Sequence, residues 1–193
     1  MNKVLIRNLS SSSNRLFVCA TFFICCLFAN ANQPNNFANI IVKESYANAK
    51  DISKYSVENE QHLFFYNDGK ELYFTNEVTK SKSRSYGKVT DDNLKKDSDN
   101  GMDSCILKFK WNYQNTYDDE TGVADVYIKM LNTSKGVACR VIIISENMDH
   151  LIEYRGVLND SLDSFLQNFS SSQKQSNNYI SPTNKTPLLK KRK

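Results

Sequence analysis

A strict alternation of apolar and polar side chains over residues 105–113 is the feature that most constrains the fold of this chain. Its apolar positions are Cys105, Leu107, Phe109, Trp111 and Tyr113. A period of two places these side chains on one face, which predicts a strand with one buried face. Similar apolar runs follow over residues 123–131, 137–145 and 150–158, separated by short polar turns. Short connections predict antiparallel neighbours, because a parallel pair needs a crossover of a dozen residues or more.

A hairpin is predicted in the stretch FFYNDGKELYF, residues 64–74. Asp68-Gly69 between two apolar runs is typical of a two-residue type I′ turn, which requires positive φ at both positions. Pairing through this turn places Leu63, Phe65, Leu72 and Phe74 on one face, which we expect in the core. The opposite face carries Phe64, Tyr66, Tyr73 and Glu71. We predict that Phe64, Tyr66 and Tyr73 form a half-exposed surface for a ligand or a partner.

Six strands of this kind predict a mainly β fold, either an antiparallel sandwich or a half-barrel, with an α+β fold as the alternative. A C-terminal helix is expected over residues 159–169, with Asn159 or Asp160 as its N-cap. Its apolar stripe is Leu162, Phe165, Leu166 and Phe169. Residues 80–104 are rich in Ser, Asp, Asn and Lys and are expected to form a long loop. These elements predict a β-rich domain over residues 62–169, preceded by a weakly structured segment over 32–61 and followed by a disordered basic tail over 170–193.

Residues 1–31 have the features of a signal peptide. Three basic residues precede an uncharged apolar run over 16–28, and Ala29 and Ala31 follow at the spacing of a cleavage site. The run is shorter than the roughly 20 residues that a spanning helix needs. We therefore expect export to the periplasm or the extracellular space, with cleavage after Ala31. The alternative is an uncleaved segment that anchors the protein to the membrane.

Cleavage would leave two cysteines, Cys105 and Cys139, in the mature chain. Two cysteines in an oxidising compartment predict one disulfide bond. The alternative is a pair of independent buried thiols.

Charge and motifs narrow the classes of function. The net charge is +4, but the basic excess lies in residues 1–31 and 185–193, so residues 32–184 hold a small acidic excess. A nucleic-acid-binding domain would instead carry its basic charge on the folded face. The sequence contains no nucleophile elbow, no glycine-rich phosphate loop and no HExxH zinc motif. We predict no catalytic residue, no metal site and no cofactor.

The sequence thus favours an exported, non-catalytic binding module of the cell envelope or extracellular space. Its expected partner is another protein or an envelope component, with no nucleic acid, and with a membrane only if the N-terminal segment is retained. The alternatives are a membrane-anchored accessory protein of an envelope assembly and a small secreted hydrolase.

Overall fold

A computed structural model describes residues 35–99, 101–147 and 149–178. The strands are β1 (Asn35–Ala47), β2 (Lys50–Asp51), β3 (Gln61–Asn67), β4 (Leu72–Val78), β5 (Ser83–Asp99), β6 (Met102–Asn115), β7 (Thr121–Thr133), β8 (Gly136–Ser145) and β9 (Leu151–Leu158). The helices are α1 (Ser53–Glu58) and α2 (Leu162–Asn178). The predicted signal peptide over residues 1–31 and most of the predicted tail, residues 179–193, lie outside the described residues.

Eight strands form a closed antiparallel barrel in the order β1-β3-β4-β5-β6-β7-β8-β9. The first half of β1 pairs with β3 and the second half pairs with β9, and this double pairing closes the ring. Strand β2 only forms a short hairpin with the end of β1. Closure gives the first and last strands of the barrel a neighbour on each side. In an open sheet each of them would have one edge of unpaired backbone groups.

Two glycines that face the barrel interior permit the sharp coiling that closure requires. A Cβ at Gly87 on β5 would collide with the carbonyl oxygen of Asn112 on β6. A Cβ at Gly156 on β9 would collide with the carbonyl oxygen of Ile41 on β1. Glycine at such a position lets neighbouring backbones approach more closely than any other residue allows. Bulges in β1 and β5 add further bending.

Alternating side chains from all eight strands fill the barrel, and α2 lies across one mouth. The ring of Phe165 lies 6.4 Å from that of Phe37 on β1 and 5.9 Å from that of Phe65 on β3. Phe169 meets the same Phe65 ring edge-on at 5.9 Å. The helix also contacts β4 and β7, and Gln173 donates a hydrogen bond to Asp92 on β5. Because these strands lie far apart around the ring, the helix spans the opening and completes the core.

Polar side chains close the other mouth. The hydroxyl of Tyr154, which is buried, accepts hydrogen bonds from the side-chain amides of Gln61 at 3.1 Å and Asn76 at 3.1 Å. Ser45 of β1 bonds Ser56 of α1 at 2.5 Å, and both side chains are fully buried. The barrel is thus packed from end to end by its own side chains.

The structure confirms the mainly β class and the C-terminal helix, and it corrects the architecture. The prediction of a six-stranded sandwich or half-barrel is wrong, because the chain forms a closed barrel of eight strands. The barrel strands that the prediction missed are β1, in the segment 32–61, and β5, in the segment 80–104. The far end of β5 pairs with β6 but with no other described strand, so most of its side chains stay exposed, and only Leu94 packs against the core. Such a strand shows no apolar face in its sequence, and this is why it resembles a loop.

The hairpin has the predicted faces but a different register. Tyr66 pairs with Tyr73 and Phe65 with Phe74, so the connection holds four residues, 68–71, and not two. The carboxylate of Asp68 accepts hydrogen bonds from the backbone N–H groups of residues 70 and 71, at 2.9 and 2.8 Å, and thereby organises the longer turn. A shift of two residues keeps every side chain on its predicted face, because the strand period is two.

Helix α2 begins and ends later than predicted. Ser161 is its N-cap, since the Ser161 hydroxyl accepts a hydrogen bond from the backbone N–H of Ser164 at 3.1 Å. The helix continues to Asn178, into the segment that was expected to be disordered. All four predicted stripe residues are buried.

Candidate binding surface on the outer wall

The three predicted surface residues lie together on the outside of β3 and β4. Tyr66 and Tyr73 are directly paired across these strands, and their rings stack with centroids 4.8 Å apart and planes 4° apart. Phe64 lies 6.5 Å from Tyr66 along β3. Each of the three side chains is partly exposed. The alternating pattern therefore placed these three side chains on one outer face, and their role as a binding surface stays a prediction.

A fourth aromatic residue, Tyr86 on β5, extends this cluster, and sequence reasoning missed it. Tyr86 pairs with Thr75 on β4, which in turn pairs with Phe64 on β3. The guanidinium of Arg84 lies 5.0 Å from the Tyr86 ring centroid, a cation–π distance. Tyr86 was overlooked because its strand had been interpreted as a loop. We call Phe64, Tyr66, Tyr73 and Tyr86 the outer aromatic surface.

Between these rings lies a polar group that the aromatic side chains hide from water. Thr75 points outward from β4, yet its side chain is fully buried and its hydroxyl has no hydrogen-bond partner within the described part of the chain. Its neighbours in register are Phe64 and Tyr86. The surrounding aromatic rings thus pack down onto the sheet and form a continuous layer.

Both central tyrosines stay protonated at neutral pH. Burial raises the pKa of Tyr73, and the carboxylates of Asp68 and Glu71 raise it further. Burial likewise raises the pKa of Tyr66. Glu71 also binds Lys88 on β5, with 2.5 Å between the carboxylate oxygen and the ammonium nitrogen. The tyrosines therefore present neutral hydroxyl groups that can donate and accept hydrogen bonds.

A groove of about 880 Å³ borders the outer aromatic surface. It runs across β4 to β7 as far as the connection between β8 and β9, and residues along it include Tyr73, Tyr86, Asn112, Gln114, Glu146 and His150. A second groove of about 630 Å³ lies beside Phe64 and includes Asn39, His62, Glu77 and Asp160. The imidazole of His62 there is hydrogen-bonded to Asn39 at 3.1 Å.

The histidine and acidic side chains of the described residues do not gather into a metal-binding group. Across residues 35–99, 101–147 and 149–178, no group of three His, Cys, Asp or Glu side chains is placed to hold a metal ion. His62 and His150 lie in different grooves, so they do not form one site.

The two cysteines are buried thiols on the inside of the barrel, and they are not bonded to each other. Cys105 on β6 and Cys139 on β8 both pair with Met130 on β7, which separates them. Adjacent strands lie about 4.8 Å apart, so the two backbones are separated by about twice that spacing. A disulfide bond needs Cα atoms within about 7 Å. Burial raises the pKa of Cys105 to about 11 and that of Cys139 to about 12, which keeps both thiols protonated and unreactive. The disulfide therefore stays a prediction that needs backbone movement.

Comparisons with protein-family models, curated proteins and solved structures find no match for this chain. Within the described residues, no helix is both long enough and apolar enough to cross a bilayer.

Proposed function

We propose that this chain is an exported, non-catalytic binding module of the cell envelope or extracellular space. Its outer aromatic surface engages another protein or an envelope component. The observation that carries this proposal is the combination of a filled barrel and a partly exposed aromatic cluster. Because α2 and the inward side chains occupy the interior, the partner binds on the outer wall of the barrel.

The composition of the outer aromatic surface supports this role. Tyrosine is enriched at protein interfaces because it offers a large rigid ring together with a polar hydroxyl. Stacking of Tyr66 on Tyr73 fixes both rings before a partner arrives, which lowers the entropy lost on binding. Aromatic rings packed on a rigid barrel wall are better preorganised than the same rings on a loop.

The binding role is tested by capture of partners from the native envelope fraction. The tagged wild-type protein, a Tyr66→Ala/Tyr73→Ala variant and a Tyr127→Ala control are crosslinked in parallel and compared by mass spectrometry. Tyr127 lies on β7 outside the outer aromatic surface and is likewise exposed, so the control removes a comparable ring. We expect one partner to be retained by the control and lost from the double variant. Identical capture profiles for all three proteins would refute the proposed surface.

The export step is tested by the N-terminal sequence of the protein purified from its native cell. A mature chain that begins at Asn32 supports the proposal. A chain that begins at Met1 in the membrane fraction would instead support the anchored accessory protein. A chain that begins at Met1 in the cytosol would overturn both.

A further inference from the structure

The groove beside Tyr73 and Tyr86 has a lining that selects a class of ligand. Its volume of about 880 Å³ lies within the range of small-molecule sites in proteins. It is lined by outward side chains of β5, β6 and β7, by the inward-facing row Gly87, Tyr113 and Gly122, and by the connection between β8 and β9. The groove is open to solvent along its length, which suits an elongated ligand better than a compact one.

The charges along the groove disfavour anionic ligands. Among the described residues that line it none is Lys or Arg, whereas Glu146 and Asp149 contribute carboxylates. The nearby ammonium group of Lys88 is bound to Glu71 at 2.5 Å, and Arg84 lies against the Tyr86 ring. A phosphate or sulfate group would therefore meet these carboxylates, while the two nearby cations, Lys88 and Arg84, already have partners.

The shortage of aliphatic side chains argues against lipid. Val123 is the one aliphatic side chain among the described residues of the lining. The remaining surface consists of tyrosine rings, amides, hydroxyl groups and carboxylates. Burial of an acyl chain yields free energy in proportion to the apolar area that leaves water, and this groove offers little such area.

The floor presents amide groups with unused hydrogen-bonding capacity. The Asn112 side-chain amide donates to the Thr90 hydroxyl at 3.2 Å, and the Gln114 carbonyl oxygen accepts from the Tyr86 hydroxyl at 3.4 Å. The side-chain oxygen Oδ1 of Asn112 and the side-chain nitrogen Nε2 of Gln114 have no partner among the described residues. A side-chain amide both donates and accepts, which suits it to the hydroxyl groups of a neutral ligand.

Two flat rings border these amides. Tyr73 gives one ring face to Tyr66 at 4.8 Å, and Tyr86 gives one to Arg84 at 5.0 Å, so both rings are held in place. A pyranose ring has an apolar face of C–H groups and a rim of hydroxyl groups. It can pack its apolar face on an aromatic ring while its hydroxyl groups bond to amides and carboxylates.

We propose that this groove binds a neutral or amino-substituted sugar chain. The carboxylates of Glu146 and Asp149 favour the amino-substituted form over any sulfated or phosphorylated one. The inference rests on the proposed binding function and names its ligand class, an envelope or extracellular glycan.

The test is isothermal titration of the purified protein with chitosan hexasaccharide, chitohexaose, cellohexaose and, as an anionic comparison, a heparin hexasaccharide. We expect binding to at least one of the first three. Tyr86→Ala and Asn112→Ala should each weaken it by about tenfold, the loss of one stacked ring or one polar anchor. Tyr86→Phe should stay within about threefold of wild type, because it keeps the ring. The control Tyr127→Ala should leave the affinity unchanged, and circular dichroism confirms that each variant is folded.

Three results would overturn the inference: no binding to any uncharged or amino hexasaccharide at millimolar concentration, equal affinity for wild type and both groove variants, or tighter binding of the heparin fragment. Capture of a partner that depends on Tyr66 and Tyr73, with no hexasaccharide bound, would remove the sugar ligand and leave the binding function intact. If no hexasaccharide binds and no captured partner depends on Tyr66 and Tyr73, both proposals are refuted.

Discussion

Replacing Thr75 with valine should stabilise the protein. Thr75 is fully buried beneath the outer aromatic surface, and its hydroxyl has no partner within the described residues. An unsatisfied buried hydroxyl costs about 1–3 kcal/mol, and Thr→Val removes it while keeping the shape and the β-branched side chain. We expect a gain of about 1–2 kcal/mol in the free energy of unfolding, or about 3–6 °C in Tm for a domain of this size.

The assay is urea-induced unfolding monitored by circular dichroism. The slope of the transition should be the same for variant and wild type, which shows that the unfolded state is unchanged. Thr90→Val is the matched control, because Thr90 also points outward but accepts a hydrogen bond from Asn112 and is partly exposed. Thr90→Val should not raise the free energy of unfolding. A loss of about 1 kcal/mol or more in Thr75→Val would refute the reasoning, since it would show that the hydroxyl is bonded.

Three further substitutions or treatments test the core, the surface charges and the thiols. Phe165→Ala should lower the free energy of unfolding by about 3–5 kcal/mol, because removal of this buried ring leaves a cavity in the barrel mouth. Its control is Gln167→Ala, an exposed position on the same helix, which should change the free energy of unfolding by less than about 0.5 kcal/mol in the same urea assay. Hydrogen bonds from Arg140 lower the pKa of Glu153, so its small contribution to stability, below about 1 kcal/mol, should be present above its ordinary pKa and lost as the pH falls through the lowered value. Glu153→Gln should be less stable than wild type at pH 7, and this difference should shrink as the pH is lowered. Cys105 and Cys139 should alkylate only after denaturation, as peptide mass mapping would show, and a disulfide-linked peptide would contradict the thiol state seen in the barrel.

Local periodicity accounts for the strand faces that the sequence predicts correctly. The alternation in residues 105–113 and the apolar run over 137–145 each report which face of a strand leaves water, and the structure buries those faces. The same reasoning placed Phe64, Tyr66 and Tyr73 on one outer face, although the turn between the strands was given the wrong length. A period of two survives a shift of two residues, so the faces were right where the register was wrong.

The missed elements depend on partners that are distant in the chain. Strand β1 can be recognised as one long strand only when its first half is known to pair with β3 and its second half with β9. After Val89, Leu94 is the one apolar side chain of β5, so the local sequence does not distinguish this strand from a loop. Tyr86 was missed for the same reason, because a ring joins a surface only when its strand is placed beside another.

The sequence by itself determined which residues leave water, since burial follows hydrophobic periodicity over a few neighbouring positions. Only the tertiary structure decided that the sheet closes into a barrel, that α2 fills its mouth, and that the groove forms beside the outer aromatic surface. Closure depends on hydrogen bonds between β1 and β9, at opposite ends of the described chain, and on glycines at Gly87 and Gly156 whose role appears only when another backbone lies against them.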